Sequence, residues 1–214
     1  MPEKEQTLKK PEPQGAGYGI YTLIHDLAYI LAAITLIFVF AVRLVGVSGS
    51  SMYPTLVGAE ESYRTRGDYL ALMSNVLYSD YEKGDIIVAC LPSFESGKPI
   101  VKRVIATEGQ TVDFRPDGSG QWRVYVDGEA LDEPYIRETM TATGYRTLDF
   151  PVTVPEGCYF AMGDNRNNSA DSRYPDIGMI DGRYIVGKAL MVVLPGQDCY
   201  AGNTRSWSRF GTVS

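Results

Sequence analysis

The sequence predicts a mainly β protein in which a single N-terminal transmembrane helix precedes an all-β domain. Three observations lead to this fold class. Residues 20–42 form a long apolar run, turn residues divide the chain beyond them into short β-rich runs, and no second long helical pattern follows. Runs of β-branched and aromatic residues bounded by Gly, Pro, Asn and Asp are typical of strands joined by turns.

The apolar run is long enough to cross a bilayer. It has 23 residues, and the 16 residues between Asp26 and Arg43 carry no charge. A membrane span requires ~20 residues at a rise of ~1.5 Å each. His25 and Asp26 lie near the amino end of the run, where headgroups and water lower the cost of polar groups. We therefore predict a transmembrane helix over residues 20–43.

Three other interpretations of this run fit less well. A cleaved signal peptide requires a small-residue site soon after a shorter apolar run, and residues 45–49 are a poor match to such a site. A buried core helix is not expected to be apolar on all sides at the very start of a chain. An interfacial helix requires a polar face, which the run lacks.

The residues before the run are predicted to form a disordered cytoplasmic tail over residues 1–19. Prolines and glycines are frequent there, and no apolar periodicity is present to drive burial. The tail contains three lysines, whereas Arg43 is the only basic residue on the other side of the run before Arg64. Because positive charge favours the cytoplasmic side, we expect residues 44–214 to form an extracytoplasmic domain.

The composition excludes several classes of function. Lys and Arg number 20 against 26 Asp and Glu, a formal charge of −6 without a basic cluster, which argues against nucleic acid as a partner. The single histidine, His25, lies inside the predicted anchor, so the domain has no Ser-His-Asp triad. Cys90, Cys158 and Cys199 form no C-x-x-C pair, and we predict no metal and no cofactor. The extracytoplasmic location permits a disulfide, with Cys158–Cys199 as one of three possible pairs.

The domain itself is predicted to be β-rich. Asp127-Gly128 between two short apolar runs is a strong signal for a two-residue hairpin. The predicted strands are residues 69–73, 86–90, 100–105, 122–126, 159–162 and 189–194.

A serine-containing loop follows the anchor directly. Small residues, an aromatic residue and a proline over residues 47–56 predict an exposed, sharply turned loop. A serine there could be a nucleophile, although loop serines are common and this pattern alone favours a structural loop. Tyr53 stands where a G-x-S-x-G nucleophile elbow needs its second glycine.

Lysine is the remaining candidate base for such a serine. Lowering a lysine pKa from ~10.4 to 7 requires ~4.6 kcal/mol of unfavourable environment for the charge, which burial can supply. Lys102 lies on a predicted strand and shares a face with Ile100 and Val104. An edge-strand lysine that prevents aggregation has the same pattern, and the strand by itself favours that interpretation.

The third cluster covers residues 163–173 and is dense in short hydrogen-bonding side chains. This composition is typical of a loop folded around its own polar groups. A calcium loop fits poorly, because Arg166 is present and a late glutamate is missing.

Taken together, the three clusters resemble the type I signal peptidases, the membrane-anchored Ser/Lys serine proteases of peptidase family S26. The strings S-M-Y-P-T at residues 51–55, G-D-I-I at 84–87, K-R-V-I at 102–105 and G-D-N-R to D-S-R at 163–173 resemble the family's boxes. They occur in the family's order after an N-terminal span. The resemblance extends from the anchor to about Pro195.

The resemblance implies roles for individual residues. Ser51 would attack the scissile carbonyl, and its backbone N–H would donate to the oxyanion. Lys102 would act as general base and then as general acid, with its amine held by the hydroxyl of Ser169. A polar scaffold beneath them would consist of Asp164, Asp171 and Arg173, with Arg103 nearby.

The resemblance also implies the substrate. The enzyme would remove signal peptides from secreted preproteins at the membrane as a monomer, cutting after small residues of the Ala-x-Ala type. The peptide is expected to lie as an added strand along a sheet edge. Val47, Met52, Leu56 and Val101 are expected to bind it, and Met52 and Tyr53 to dip into the bilayer.

Two other classes of protein share parts of this pattern, and two residues depart from the family's usual sequence. A self-cleaving Ser/Lys protease of the repressor-regulating type would lack the span, and a non-catalytic assembly factor would be expected to have lost Ser51 or Lys102. Gly49 stands where some members have a serine that assists the oxyanion hole, and Asn167 stands where many have an aspartate.

Overall fold

The structure, a computed structural model, describes residues 15–144 and 147–213. It divides into two compact units, Met1–Val39 and Phe40–Ser214. Most of the predicted disordered tail, residues 1–14, lies outside the described residues.

The predicted helix is α1 (Ala16–Phe40), and all of it but its last residue belongs to the first unit. The most apolar window of its segment Gly17–Phe40 has a mean hydropathy of 2.2, and none of that window is buried within the protein. The helix begins four residues before the predicted 20, and residues 14–19 contain no proline that would interrupt it there. It ends three residues before the predicted 43, because residues 42–46 form a strand that pairs with residues 69–73 of the second unit.

The second unit is mainly β, which confirms the predicted fold class. Its described strands are β1 (Val42–Gly46), β2 (Tyr69–Ser74), β3 (Ile86–Cys90), β4 (Pro99–Ala106), β5 (Thr111–Pro116), β6 (Trp122–Val126), β7 (Glu129–Ala130), β8 (Val152–Thr153), β9 (Cys158–Met162), β10 (Ile180–Asp181), β11 (Ile185–Leu194), β12 (Gln197–Asp198), β13 (Thr204–Arg205) and β14 (Gly211–Thr212). Short 3-10 helices occupy Glu61–Tyr63, Glu95–Gly97, Gly182–Tyr184, Cys199–Ala201 and Trp207–Arg209.

The predicted strands correspond to β2, β3, β4, β6, β9 and β11, with β3 and β6 matched at both ends. The predicted hairpin is also present: Asp127 and Gly128 have φ values of 53° and 86° and join β6 to β7. Positive φ at both central residues is what a type I′ turn requires.

The strands form a large antiparallel sheet in the order β1-β2-β11-β3-β4-β9-β10, a four-stranded sheet β7-β6-β5-β8 and the pair β12-β13. Strand β11 is long enough to pair with β3 through its first half and with β14 near its end. The serine loop leaves β1 and returns to β2, while β4 lies between β3 and β9. Residues of β4 pack in different apolar clusters. Ile100 and Val104 pack in one cluster, and Val101 packs in another.

Candidate active site

The serine loop is a tight turn whose apolar side chains point inward. The backbone N–H of Tyr53 donates to Ser50 O at 3.1 Å, and that of Leu56 donates to Met52 O at 2.9 Å. Met52 and Leu56 are 1% and 0% exposed and pack in one apolar cluster with Val47. This packing leaves Ser51 half-buried between the loop and the rest of the domain.

The lysine amine reaches the serine hydroxyl across 51 residues of sequence. Lys102 Nζ donates to Ser51 Oγ at 2.9 Å and to Val101 O at 3.0 Å. Lys102 is only 4% exposed. A serine and a lysine that sequence reasoning found separately are therefore hydrogen-bonded to each other.

Burial changes the proton affinity of this lysine. Loss of solvent lowers the pKa of Lys102 from 10.5 to about 8, against the opposing attraction of the Asp171 carboxylate. About a tenth of the amine is consequently neutral at pH 7, far more than for an exposed lysine. A neutral amine within hydrogen-bond distance of a serine hydroxyl can accept its proton.

The polar loop, residues 163–173, is hydrogen-bonded to the serine loop. Asn165 donates from its backbone N–H to Ser51 O at 3.0 Å and from its side chain to Ser50 O at 3.1 Å. Asn168 donates to Ser50 Oγ at 3.0 Å. These bonds fix the backbone on both sides of the serine hydroxyl.

Two buried ion pairs underlie this loop. Arg103 donates to both oxygens of Asp164, at 2.9 and 2.8 Å. Arg173 donates likewise to Asp171 at 2.8 and 2.9 Å, and Asp171 also accepts from the Gly163 backbone N–H at 3.0 Å. Burial raises the pKa of the Asp171 carboxyl, but Arg173, the Gly163 N–H and Lys102 together outweigh it and the net pKa is lowered. All four charged groups predicted for the scaffold are thus brought together in two bidentate pairs.

Ser169 lies beside the serine but does not hold the lysine in this structure. Its Oγ is buried and makes no hydrogen bond with any described residue, whereas the lysine amine uses Ser51 Oγ and Val101 O. A side-chain atom added at Gly163 would overlap both Ser169 Oγ and Ser51 O, so the three residues are close neighbours.

A cleft of about 420 Å³ opens in front of the serine and the lysine. Residues at the end of β1 and after it form one wall, and residues at the start of β4, including Val101, form the other. Of the four residues predicted to bind substrate, only Val101 lines this cleft. Val47, Met52 and Leu56 lie in the core instead, because the tight turn directs them inward. The expectation that Met52 dips into the bilayer is therefore wrong.

A third buried ion pair was missed by sequence reasoning. The Arg166 guanidinium is bound by both carboxylate oxygens of Glu133. Tyr135, next to this pair, lies under the Arg103 guanidinium at 4.0 Å from its ring centre. Nothing in the sequence near Glu133 marks it as the partner, since 33 residues separate it from Arg166.

At both positions that depart from the family pattern, the residue present suits its local backbone conformation or hydrogen bonds. Gly49 has a φ of +74°, a conformation that favours glycine. Asn167 accepts from the backbone N–H of Thr141 at 3.0 Å and donates to Thr139 O at 3.1 Å. An aspartate could not make the second bond, because an ionised carboxylate has no donor.

Cys90, Cys158 and Cys199 are all free in the structure, so none of the possible disulfides is formed. Within residues 15–144 and 147–213, no group of three or more His, Cys, Asp or Glu side chains is arranged to hold a metal ion.

A serine hydroxyl hydrogen-bonded to a buried lysine amine beside an open cleft is the arrangement that a serine hydrolase requires. The family described as "Signal peptidase, peptidase S26" matches residues 20–194. A signal peptidase I of Bacillus licheniformis is 36% identical over 175 residues, covering 79% of this chain and 84% of that protein. Signal peptidase I T of Bacillus subtilis strain 168 is 36% identical over 198 residues, covering 89% of this chain and 91% of that protein.

Among solved structures, a signal peptidase I from Enterococcus faecalis V583 matches with a TM-score of 0.39 and 33% identity, covering 51% of this chain and 96% of that chain. The chain belongs to the S26 signal peptidase family. The prediction of an enzyme is confirmed over the non-catalytic assembly factor.

Proposed function

We propose that the protein is a membrane-bound serine endopeptidase that removes N-terminal signal peptides from secreted preproteins, with Ser51 as nucleophile and Lys102 as general base. The observation that carries this proposal is the 2.9 Å hydrogen bond between Lys102 Nζ and Ser51 Oγ at a lysine only 4% exposed. Membership of the signal peptidase family supports the substrate class.

The reaction proceeds in two steps. The neutral Lys102 amine accepts the Ser51 proton as Oγ bonds to the scissile carbonyl carbon, and the carbonyl electrons move onto its oxygen. The backbone N–H of Ser51 donates to that oxyanion. The Lys102 ammonium then protonates the leaving amine, which frees the mature protein and leaves an acyl group on Ser51. A water molecule that gives a proton to Lys102 then bonds to the acyl carbon. The bond from that carbon to Ser51 Oγ breaks, Oγ takes the proton back from Lys102, and the signal peptide leaves with a free carboxylate.

Ser169 has a role in this cycle. Once Ser51 Oγ bonds to the substrate, the Lys102 ammonium needs another acceptor. The buried Ser169 hydroxyl, which has no partner among the described residues, is the proposed acceptor. The Asp164–Arg103 and Asp171–Arg173 pairs keep the loop beneath them rigid while this exchange occurs.

The substrate binds as an extended strand along the cleft. The cleft walls are the end of β1 with the residues after it and the start of β4, and a peptide laid between them can pair as an added strand. Val101 and the small residues Gly46 and Ala59 line this space, so cleavage after small side chains such as alanine fits it.

The membrane arrangement is proposed from charge and hydropathy. Helix α1 anchors the enzyme, the lysine-containing tail is cytoplasmic, and the β domain is extracytoplasmic. The enzyme acts as a monomer, and its charge of −6 argues against nucleic acid as a partner.

The test is a matched cleavage assay. Detergent-solubilised full-length protein is incubated with a preprotein that has an Ala-x-Ala site, beside the variants Ser51→Ala and Lys102→Met. Cleavage after the final alanine by the wild type alone supports the proposal. Cleavage that persists in Lys102→Met places the base elsewhere. A folded wild type that cuts none of several such preproteins contradicts the proposed substrate class.

A further inference from the structure

The last part of the chain contacts the loop that contains the nucleophile. This C-terminal segment, residues 196–213, lies beyond the region 20–194 matched by the family. It is built into the domain through β14, which pairs with the end of β11, and through Val213, which packs against the apolar cluster under the serine loop. The nucleophile loop is the stretch of residues 50–57, which includes Ser51 and most of the serine loop.

Arg209 makes the most direct contact between the two. Its Nη1 donates to Pro54 O at 3.1 Å, and its Nη2 donates to Thr55 O at 2.9 Å. These two carbonyls lie three and four residues after Ser51. A planar guanidinium with two separate terminal nitrogens can bridge adjacent carbonyls in this way, whereas an ammonium offers its donors from a single nitrogen.

Asp68 completes the attachment. Its carboxylate is fully buried and accepts from Arg209 Nη2 at 2.7 Å. The same carboxylate accepts from the backbone N–H of Val57 at 2.8 Å and from that of Gly196 at 2.7 Å. One buried charge therefore joins the end of the nucleophile loop, the start of the C-terminal segment and Arg209.

The opposite side of the loop is attached to the catalytic scaffold. Thr55 Oγ1 donates to Asp164, which is paired with Arg103, the residue next to Lys102 in β4. Thr55 is thus bonded to the Lys102 side of the site through its hydroxyl and to Arg209 through its carbonyl. A shift on the Arg209 side would move the loop relative to the lysine.

A second contact reinforces the first. The rings of Tyr53 and Tyr200 lie 4.7 Å apart between centres, so the C-terminal segment also packs against the residue two positions after Ser51. Two independent parts of the segment therefore contact the nucleophile loop.

From these contacts we infer that the C-terminal segment positions the nucleophile loop, with Arg209 as a positioning residue for cleavage. This inference rests on the proposed function, because the step that Arg209 supports is the attack by Ser51. Arg209 does not touch the reacting atoms; it fixes the backbone that presents Ser51 to Lys102.

The test compares Arg209→Lys and Arg209→Ala with the wild type in detergent. The lysine variant retains a positive charge beside Asp68 and is expected to fold, but it cannot bridge both carbonyls. Arg183→Ala is the matched control, because Arg183 forms an exposed pair with Asp181 outside the site. The measurements are kcat per titrated active site, KM, the pH profile and hydrogen exchange at the backbone N–H groups of Leu56 and Val57.

In Arg209→Lys we expect kcat to fall about tenfold or more, as a small misplacement of a reacting group does. KM and the apparent pKa of the profile stay near the wild-type values, and exchange at Leu56 and Val57 becomes faster. Arg209→Ala shows the larger change, and Arg183→Ala behaves as the wild type.

A folded Arg209→Lys with wild-type kcat and wild-type exchange overturns the inference. So does a loss of activity that is fully accounted for by a smaller folded fraction, since that would be a structural effect alone. Exchange needs no substrate, so a wild type that fails to cleave preproteins contradicts the proposed function while the exchange result still decides whether Arg209 holds the loop.

Discussion

Gly163 lies so close to Ser51 that a side-chain atom on the glycine would overlap the carbonyl oxygen of the serine, and it would also overlap Ser169 Oγ. The absence of a side chain at this position is what allows the polar loop to press against the nucleophile loop. The backbone N–H of Gly163 is at the same time bonded to Asp171, so the glycine cannot withdraw without breaking a buried hydrogen bond.

Replacing Gly163 by alanine is therefore expected to displace the nucleophile. We expect Gly163→Ala to lower kcat/KM by about 100-fold, the size of effect that follows from misplacing a reacting group by about 1 Å. The matched control is Gly182→Ala, where the nearest atoms to an added Cβ are 3.3 Å away and lie outside the site. Similar losses in both variants would contradict the explanation.

The rate of cleavage should depend on the protonation of Lys102. Because burial lowers its pKa to about 8 and only the neutral amine is a base, log kcat/KM should rise by about one unit per pH unit up to about pH 8 and then level off. A pH series with a short peptide substrate measures this. A profile that is flat between about pH 6 and 9 would show that Lys102 is not the titrating base.

The same lysine should reduce the stability of the fold. Its pKa is lowered in the folded state, so between about pH 8 and 10.5 the unfolded chain binds the proton that the folded chain has released. The stability of the wild type relative to Lys102→Met should therefore rise through that window, by about 3 kcal/mol in total. Urea unfolding of both proteins at several pH values measures the difference. A difference that does not change with pH would place Lys102 in solvent.

The Glu133–Arg166 pair should be important for stability. Glu133→Gln leaves the fully buried Arg166 guanidinium without its countercharge, which is expected to cost about 3 kcal/mol of unfolding free energy. Asp181→Asn is the control, because its partner Arg183 has a side chain 84% exposed and such pairs are worth less than about 1 kcal/mol. Equal costs in thermal or urea unfolding would show that burial does not distinguish the two pairs.

Several features could be predicted because they depend on neighbouring residues. The anchor follows from the length of an apolar run, and the hairpin follows from Asp127-Gly128, where two consecutive residues adopt positive φ. Strands β3 and β6 were found at their true ends because each is a short apolar run bounded by turn residues. Ser51 and Lys102 were found because their strings resemble those of a known family.

Other features could not be predicted, because they depend on residues that are distant in sequence. Strand β1 was missed because its residues become a strand only by pairing with β2. The inward direction of Met52 depends on the tight turn of the nucleophile loop, and the partner of Arg166 is 33 residues away.

The sequence by itself determined an N-terminal apolar helix and a β-rich domain, since local pattern and composition carry that information, and it indicated the residues of a Ser/Lys hydrolase through resemblance to a known family. Only the tertiary structure decided that Lys102 is buried and bonded to Ser51, that Ser169 Oγ has no bond to a described residue and that Arg209 is bonded to Pro54 O and Thr55 O. The physical reason is that burial and hydrogen bonding are properties of the folded surroundings. The same lysine on an exposed strand would keep its proton and could not act as a base.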